Sequence, residues 1–191
     1  HFYVVTEPVE GFDKMRPTLR LPSEQAYYKY DAGKLLLGFF ELTARPWGSG
    51  GIPDGFAFES LPVDFPHLEP LLETAMARFQ GLESAGIQLF FNGPESFTPD
   101  DRYLLGETPE VADLFIACGF NSIGIQSAGG AGKVLAEWIV QGRPPMDLWD
   151  VDIRRTFSYQ SNEEFLRKRT TETLGLLYDM HWPHRQYATG R

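Results

Sequence analysis

Residues 2–6, Phe-Tyr-Val-Val-Thr, are aromatic and β-branched, a pattern that favours a strand, and Glu7-Pro8 ends it. A short extended segment is predicted near Thr18–Arg20. Two further runs, Ala26–Tyr30 and Leu35–Phe40, flank Asp31-Ala32-Gly33-Lys34 and read as a hairpin. In a strand the neighbours Tyr27 and Tyr28 point to opposite faces, so one can enter a core while the other lines a cavity or meets solvent. Glycines and prolines crowd between Arg45 and Phe56, which predicts a long loop. From Pro66 to Phe79, Leu68, Leu71, Leu72, Ala75, Met76 and Phe79 form one helical stripe, with Gly81 as its close. Ile87–Phe91 is a strand, Asn92-Gly93-Pro94 a turn, and Leu114–Cys118 another strand. A glycine-rich loop follows, then a helix that begins near Ser127 and runs to Gln141. Ser161 and Glu164 have capping-box spacing for a last helix that reaches about Leu174. Mixed strands and helices without regular alternation predict an α+β fold.

Composition narrows the chemistry. The 191 residues carry a net charge of −9, which disfavours nucleic acid as a partner because phosphate contacts need a basic face. One cysteine, Cys118, excludes an internal disulfide and an all-cysteine metal cluster. No apolar run approaches the roughly 20 residues that span a bilayer, so no membrane role is expected. The chain opens at His1, inside a strand signal and without an initiator Met, which predicts a piece of a longer polypeptide.

The glycine cluster from Gly119 to Lys133 invites comparison with phosphate-binding motifs. A P-loop needs Gly at 127 and Ser or Thr at 134, where Ser127 and Val134 stand. A dinucleotide fingerprint from Gly130 and Gly132 needs Gly at 135, where Leu135 stands. What remains is a strand, a small-residue loop and a helix start. That arrangement suits a negatively charged group near free N–H donors, or simply tight packing. His181 and His184 have His-x-x-His spacing without the companions of a zinc site, so no metal is expected. Asp100 and Asp101 are a like-charged pair that either raises a carboxylate pKa or forms a solvated turn.

Several stretches, in order, resemble one family. His1-Phe2-Tyr3-Val4-Val5-Thr6-Glu7-Pro8, Pro17-Thr18-Leu19-Arg20 with Tyr27-Tyr28, and Asn92-Gly93-Pro94-Glu95-Ser96-Phe97-Thr98-Pro99-Asp100 with Leu104-Leu105-Gly106-Glu107 carry the likeness. So do Ala117-Cys118-Gly119-Phe120-Asn121-Ser122, Ser127–Lys133, Pro145-Met146-Asp147-Leu148, Asp152-Ile153-Arg154-Arg155 and Met180-His181-Trp182-Pro183. Together they resemble the FAD-dependent dimethylglycine and sarcosine dehydrogenases, flavoproteins of the D-amino-acid-oxidase type.

The resemblance implies a mixed, largely antiparallel sheet of the substrate-side lobe with packed helices. Residues 1–141 would be the C-terminal part of the oxidoreductase domain. Residues 142–191 would be the connector before an aminomethyltransferase-like domain. It implies an FAD-dependent enzyme that demethylates N-methyl amino acids by hydride transfer to flavin, with tetrahydrofolate as a one-carbon acceptor bound outside this chain. The partners implied are a small N-methyl amino acid and a nucleotide-binding N-terminal half of the same protein. The 191 residues alone are expected to bind FAD weakly and to be inactive. By position, His1 and Tyr27 match catalytic residues. Phe120, Asn121, Ser122, Ile123, Gly124 and Ile125 match the loop along the flavin ring, and the helix near Ser127 would aim its positive end there. The sequence does not identify the residue that binds the substrate carboxylate; Arg45 is a bare candidate. The compartment implied is a bacterial cytoplasm or the mitochondrial matrix. The alternative is a non-catalytic regulatory protein on the same scaffold.

Overall fold

The computed structural model describes residues 1–12, 14–180 and 187–188. The His181–His184 spacing and most of the Met180–Pro183 motif fall outside the described residues. The chain forms two compact units. The first holds the described residues of His1–Thr43, Gly50–Pro94 and Gly175–Gln186; the second those of Ala44–Ser49, Glu95–Leu174 and Tyr187–Arg191.

The first unit is a five-stranded antiparallel sheet with a helix on one face. Its strands are β1 (Phe2–Thr6), β2 (Leu19–Leu21), β3 (Ala26–Asp31), β4 (Lys34–Phe39) and β5 (Ile87–Asn92), in spatial order β2-β3-β4-β1-β5. The β3–β4 hairpin turns through Ala32 and Gly33, both at positive φ (47° and 86°), which suits the twist of a tight hairpin. Phe2, Val4, Ala26, Tyr28, Leu35, Leu37 and Phe39 point to one face. They pack against Leu68, Leu72, Ala75 and Met76 of helix α1 (Phe65–Arg78). The period of two in the strands thus meets the period of 3.6 in the helix. Each fully buried aliphatic side chain contributes about 1.5–3 kcal/mol. Thr6 steps out of register at a bulge, and its buried hydroxyl accepts the Leu35 N–H at 3.0 Å.

Gly93 corrects one expectation. It is not a turn residue but extends the ladder, accepting from the His1 nitrogen at 2.9 Å and donating to the His1 carbonyl at 3.0 Å.

The second unit pairs β6 (Leu104–Glu107) with β7 (Phe115–Cys118) and adds α2 (Gly124–Gln141) and most of α3 (Glu163–Tyr178). β6 carries no strand signal of its own. Gly106 sits at φ +110° within it, and an added Cβ would lie 2.5 Å from the Trp138 ring. That indole of α2 is buried, with Phe115 edge-on at 5.9 Å.

Two helix starts differ from expectation. α2 begins at Gly124, three residues ahead of the start expected near Ser127, so the end of the glycine-rich loop belongs to the helix. Glycine costs about 1 kcal/mol per position relative to Ala in a helix; burial of Ala131 and Trp138 further along offsets that. α3 begins at Glu163, and its cap is Asn162, whose Oδ1 accepts the Phe165 N–H at 3.0 Å. Ser161 instead bonds back to the Ser158 carbonyl, so the Ser161–Glu164 capping box does not form.

Candidate active site

The sheet face opposite α1 carries the candidate chemistry of the first unit. Cross-strand register sets Arg20, Tyr27, Gly38, Tyr3 and Phe91 in one row. Alternation puts His1 and Phe40 on the same face, one step along. Tyr28, next to Tyr27, is buried on the other face with its ring edge-on to Phe79 at 4.7 Å. Burial and then the charge of Glu24 push its phenol up to about 12.

Gly38 explains how Tyr27 is placed. A Cβ on Gly38 would lie 1.9–2.2 Å from the Tyr27 ring and hydroxyl. The ring therefore lies flat over bare backbone, which only glycine permits. This directs the Tyr27 hydroxyl across β4 to His1, where it lies 3.2 Å from Nε2. The direction of that hydrogen bond follows the imidazole tautomer. Phe40 closes the pair, with its ring 4.8 Å from His1 and 5.5 Å from Tyr27. Tyr178 stacks on Phe40 at 3.6 Å, and Tyr3 stacks on Phe91 at 4.5 Å. The result is an imidazole–phenol pair with an aromatic surround. It can orient a nitrogen lone pair and exchange a proton with it. The structure brings together both residues singled out as catalytic. Gly38 and Phe40 were missed. A glycine inside a strand pattern is the signal that pointed to the first.

The turn into α2 is the candidate cofactor segment of the second unit. Gly119, Asn121 and Ser122 all have positive φ (64°, 50° and 65°), which swings the chain from β7 into the helix. Asn121 is 1% exposed and holds the turn: its Oδ1 accepts the Thr98 N–H at 2.7 Å and its Nδ2 donates to Thr98 Oγ1 at 3.1 Å. Gly119 lets the Thr98 methyl approach, at 2.5 Å from the position of an added Cβ. Phe120 stacks on Tyr103 at 4.8 Å, and the Ser122 hydroxyl donates to Glu95 at 2.7 Å. Ile123 is the N-cap and supplies no side-chain acceptor to the helix. Gly124 is half-buried, and Ile125 is 99% exposed. The first N–H groups of α2 thus have no side-chain cap.

Asp100 and Asp101 behave oppositely. Burial raises Asp100, but Arg155, donating at 2.8 Å and 3.0 Å, holds it below the usual carboxylate range. Asp101 is pushed up to about 6, first by burial and then by the charge of Asp100, although the Tyr187 hydroxyl donates to it. Among the described residues, no group of three or more His, Cys, Asp or Glu is arranged to hold a metal ion. No helix among them is long and apolar enough to cross a membrane.

The first unit thus has a sheet with one helix-covered face and an imidazole–phenol pair on the other, and the second a strand–turn–helix whose start has no side-chain cap. Comparison with known proteins gives the class. The chain belongs to the FAD dependent oxidoreductase family, which matches residues 1–138; the FAD dependent oxidoreductase central domain matches residues 141–191. It is 41% identical over its whole length to 4-methylaminobutanoate oxidase (formaldehyde-forming) of Paenarthrobacter nicotinovorans, covering 23% of that protein. It is 38% identical over its whole length to the mitochondrial sarcosine dehydrogenase of Mus musculus, covering 21% of it. It is 37% identical, again over its whole length, to the mitochondrial pyruvate dehydrogenase phosphatase regulatory subunit of Mus musculus, covering 22% of it. The chain therefore spans less than a quarter of the length of these relatives. L-proline dehydrogenase from P. horikoshii shares the fold, with a TM-score of 0.61 and 22% identity over 81% of this chain and 38% of that one.

Proposed function

We propose that this chain is the substrate lobe and last flavin-side segment of an FAD-dependent enzyme that demethylates N-methyl amino acids. The observation that carries the reading is the 3.2 Å contact between His1 Nε2 and the Tyr27 hydroxyl on the helix-free face of the sheet. The names of two relatives, 4-methylaminobutanoate oxidase and sarcosine dehydrogenase, support the substrate class.

FAD, when bound, supplies the acceptor for the two electrons lost by the N-methyl carbon. The residues present fit it. The Phe120–Ile125 turn leads into a helix start that has no side-chain cap. Phe120, Asn121, Ser122, Ile123, Gly124 and Ile125 would lie along the ring edge; the side chains of Asn121 and Ser122 are engaged with Thr98 and Glu95, and the N–H groups of Asn121 and Ile123 with the Ser96 and Phe120 carbonyls, so the N–H groups of Gly124 and Ile125 at the helix start would face the ring. His1 takes the ammonium proton, because only the neutral amine carries a lone pair. Tyr27 donates to or accepts from that nitrogen and fixes its direction. Phe40 and Tyr178 restrict water.

Residues 1–141 then form the oxidoreductase part and 142–191 the connector, a division that the two family matches support. A nucleotide-binding half and a folate-binding transferase belong to other parts of the protein. The compartment is the cytoplasm in a bacterium and the mitochondrial matrix in a eukaryote.

A second reading, a silent regulatory scaffold, is favoured by the identity with the phosphatase regulatory subunit. The test uses the full-length protein carrying this chain, mixed anaerobically with sarcosine, dimethylglycine and 4-methylaminobutanoate. Bleaching of the flavin band by one of them, slowed at least tenfold by Tyr27→Phe, is expected. A flavin left oxidised by all three supports the silent scaffold.

A further inference from the structure

The helix-covered side of the first unit holds a cavity that the catalytic reading does not use. It has a volume of about 280 Å³ and opens between α1, the short 3₁₀ turn Leu82–Ser84 and the β1–β5 side of the sheet. Its floor is apolar and reaches the core. Val4 and Leu37, cross-strand partners that are each 1% exposed, lie at the bottom with Leu72, Met76 and Leu82 around them. Native interiors leave few voids larger than a water molecule, so an open space of this size against core residues has the dimensions of a small ligand site. The mouth is of another character. Glu69 and Glu73 stand one turn apart on α1, and Glu83 lines the cavity from the 3₁₀ turn. All three are exposed, no basic residue lines the cavity, and among the described residues none of the three has an ion-pair partner. Glu24 and Glu164 are by contrast paired with Arg78 and Lys168. Like charges four residues apart on a helix repel one another, a cost that a bound cation removes. The floor lies on the opposite face of the sheet from His1 and Tyr27, since Leu37 precedes Gly38 and Val4 follows Tyr3.

We propose that this cavity is a second binding site, for an amphiphilic alkylammonium ion. The alkyl chain lies on the Val4–Leu37 floor and the cationic head sits among Glu69, Glu73 and Glu83. The site is independent of the functional reading above. Charge complementarity selects the sign of the ligand: an anion meets three carboxylates at the mouth, and a neutral chain leaves them uncompensated. The floor selects the chain, because burying each methylene there tightens binding about two- to fourfold. The head contributes less, since exposed carboxylates are screened by water and salt. The volume holds one short chain and not a peptide helix.

The test is isothermal titration calorimetry of the full-length protein carrying this chain, at low salt. The probes are hexyltrimethylammonium, butyltrimethylammonium, tetramethylammonium and hexanoate. The quaternary ions have no nitrogen lone pair and so cannot serve as substrates of an amine oxidation. Hexyltrimethylammonium should bind about four- to sixteenfold more tightly than the butyl ion, which is two methylenes shorter. Tetramethylammonium, without a chain, and hexanoate, with the wrong charge, should each bind weaker by about tenfold or more. Added sodium chloride should weaken binding to the wild type. The triple variant Glu69→Gln, Glu73→Gln and Glu83→Gln changes only exposed side chains and should weaken it by about tenfold. The flavin absorbance should not move, because the site faces away from the catalytic pair. Equal binding of hexanoate, no dependence on chain length, or no binding of any probe at millimolar concentration overturns the proposal, and each of these is read on the wild type without a variant. Binding that shifts the flavin spectrum and survives the triple variant belongs to the catalytic face and overturns it too.

Discussion

Gly38→Ala is the sharpest perturbation of the site, because it replaces neither His1 nor Tyr27. The new methyl would start 1.9 Å from Tyr27 Cζ and 2.2 Å from its hydroxyl. Ordinary carbon contact is about 3.5–4.0 Å, so the ring must retreat by about 1.5 Å or more. Its contact with His1 is already 3.2 Å, and a retreat of that size breaks it. Tyr27 is half-buried and has solvent to move into, so the fold survives at a cost of about 1–3 kcal/mol. A displacement of about 1 Å at a reacting group costs about a hundredfold in rate. Anaerobic stopped-flow of the full-length flavoprotein with its best N-methyl amino acid measures that rate, and thermal unfolding checks the fold. Because the methyl acts only through Tyr27, Gly38→Ala and Tyr27→Phe should not add. The double variant should be no slower than the slower single one. Additive losses, or a Gly38→Ala protein that reduces its flavin at the wild-type rate, would refute the placement of Tyr27 over Gly38 as the basis of catalysis.

Three more outcomes follow from other groups. Asp101 has its acidity weakened to about 6 in the folded chain against 3.8 unfolded, so ionising it costs stability. Stability from this group is therefore full below about pH 4 and is lost as pH rises to about 6. Asp101→Asn should stabilise the protein at pH 7 by on the order of 2–3 kcal/mol and little at pH 4, as read by chemical unfolding at both values. Asn121→Ala strands the buried Thr98 N–H and should cost about 1–3 kcal/mol in urea unfolding, with faster amide exchange through residues 120–127. The 191-residue chain by itself has no dinucleotide fingerprint and should bind FAD weakly or not at all by equilibrium dialysis; tight stoichiometric binding would contradict the assignment of pyrophosphate binding to another part of the protein.

Local periodicity made much of the first unit legible. The β3–β4 hairpin, the α1 stripe and the opposed faces of Tyr27 and Tyr28 all follow from repeats of 2.0 and 3.6, which neighbouring residues impose on one another. The family resemblance, carried by ordered short motifs, supplied His1 and Tyr27 as a pair. Sequence alone also established what is missing: a P-loop, a dinucleotide fingerprint and any possible internal disulfide.

Long-range contacts decided the rest. β1 pairs with β4 across more than 30 residues, and that pairing brings His1 to Tyr27. Burial of Trp138 under Gly106 and of Ala131 anchors α2, whose start at Gly124 lies three residues ahead of the Ser127 read from sequence. The choice of Asn162 over Ser161 as a cap, and the opposite fates of Asp100 and Asp101, depend on which groups are close in space. Periodicity records how a residue relates to its own helix or strand. Burial, hydrogen-bond partners and the placement of a ring over a bare glycine are set by residues far along the chain, and they exist only once those residues have met.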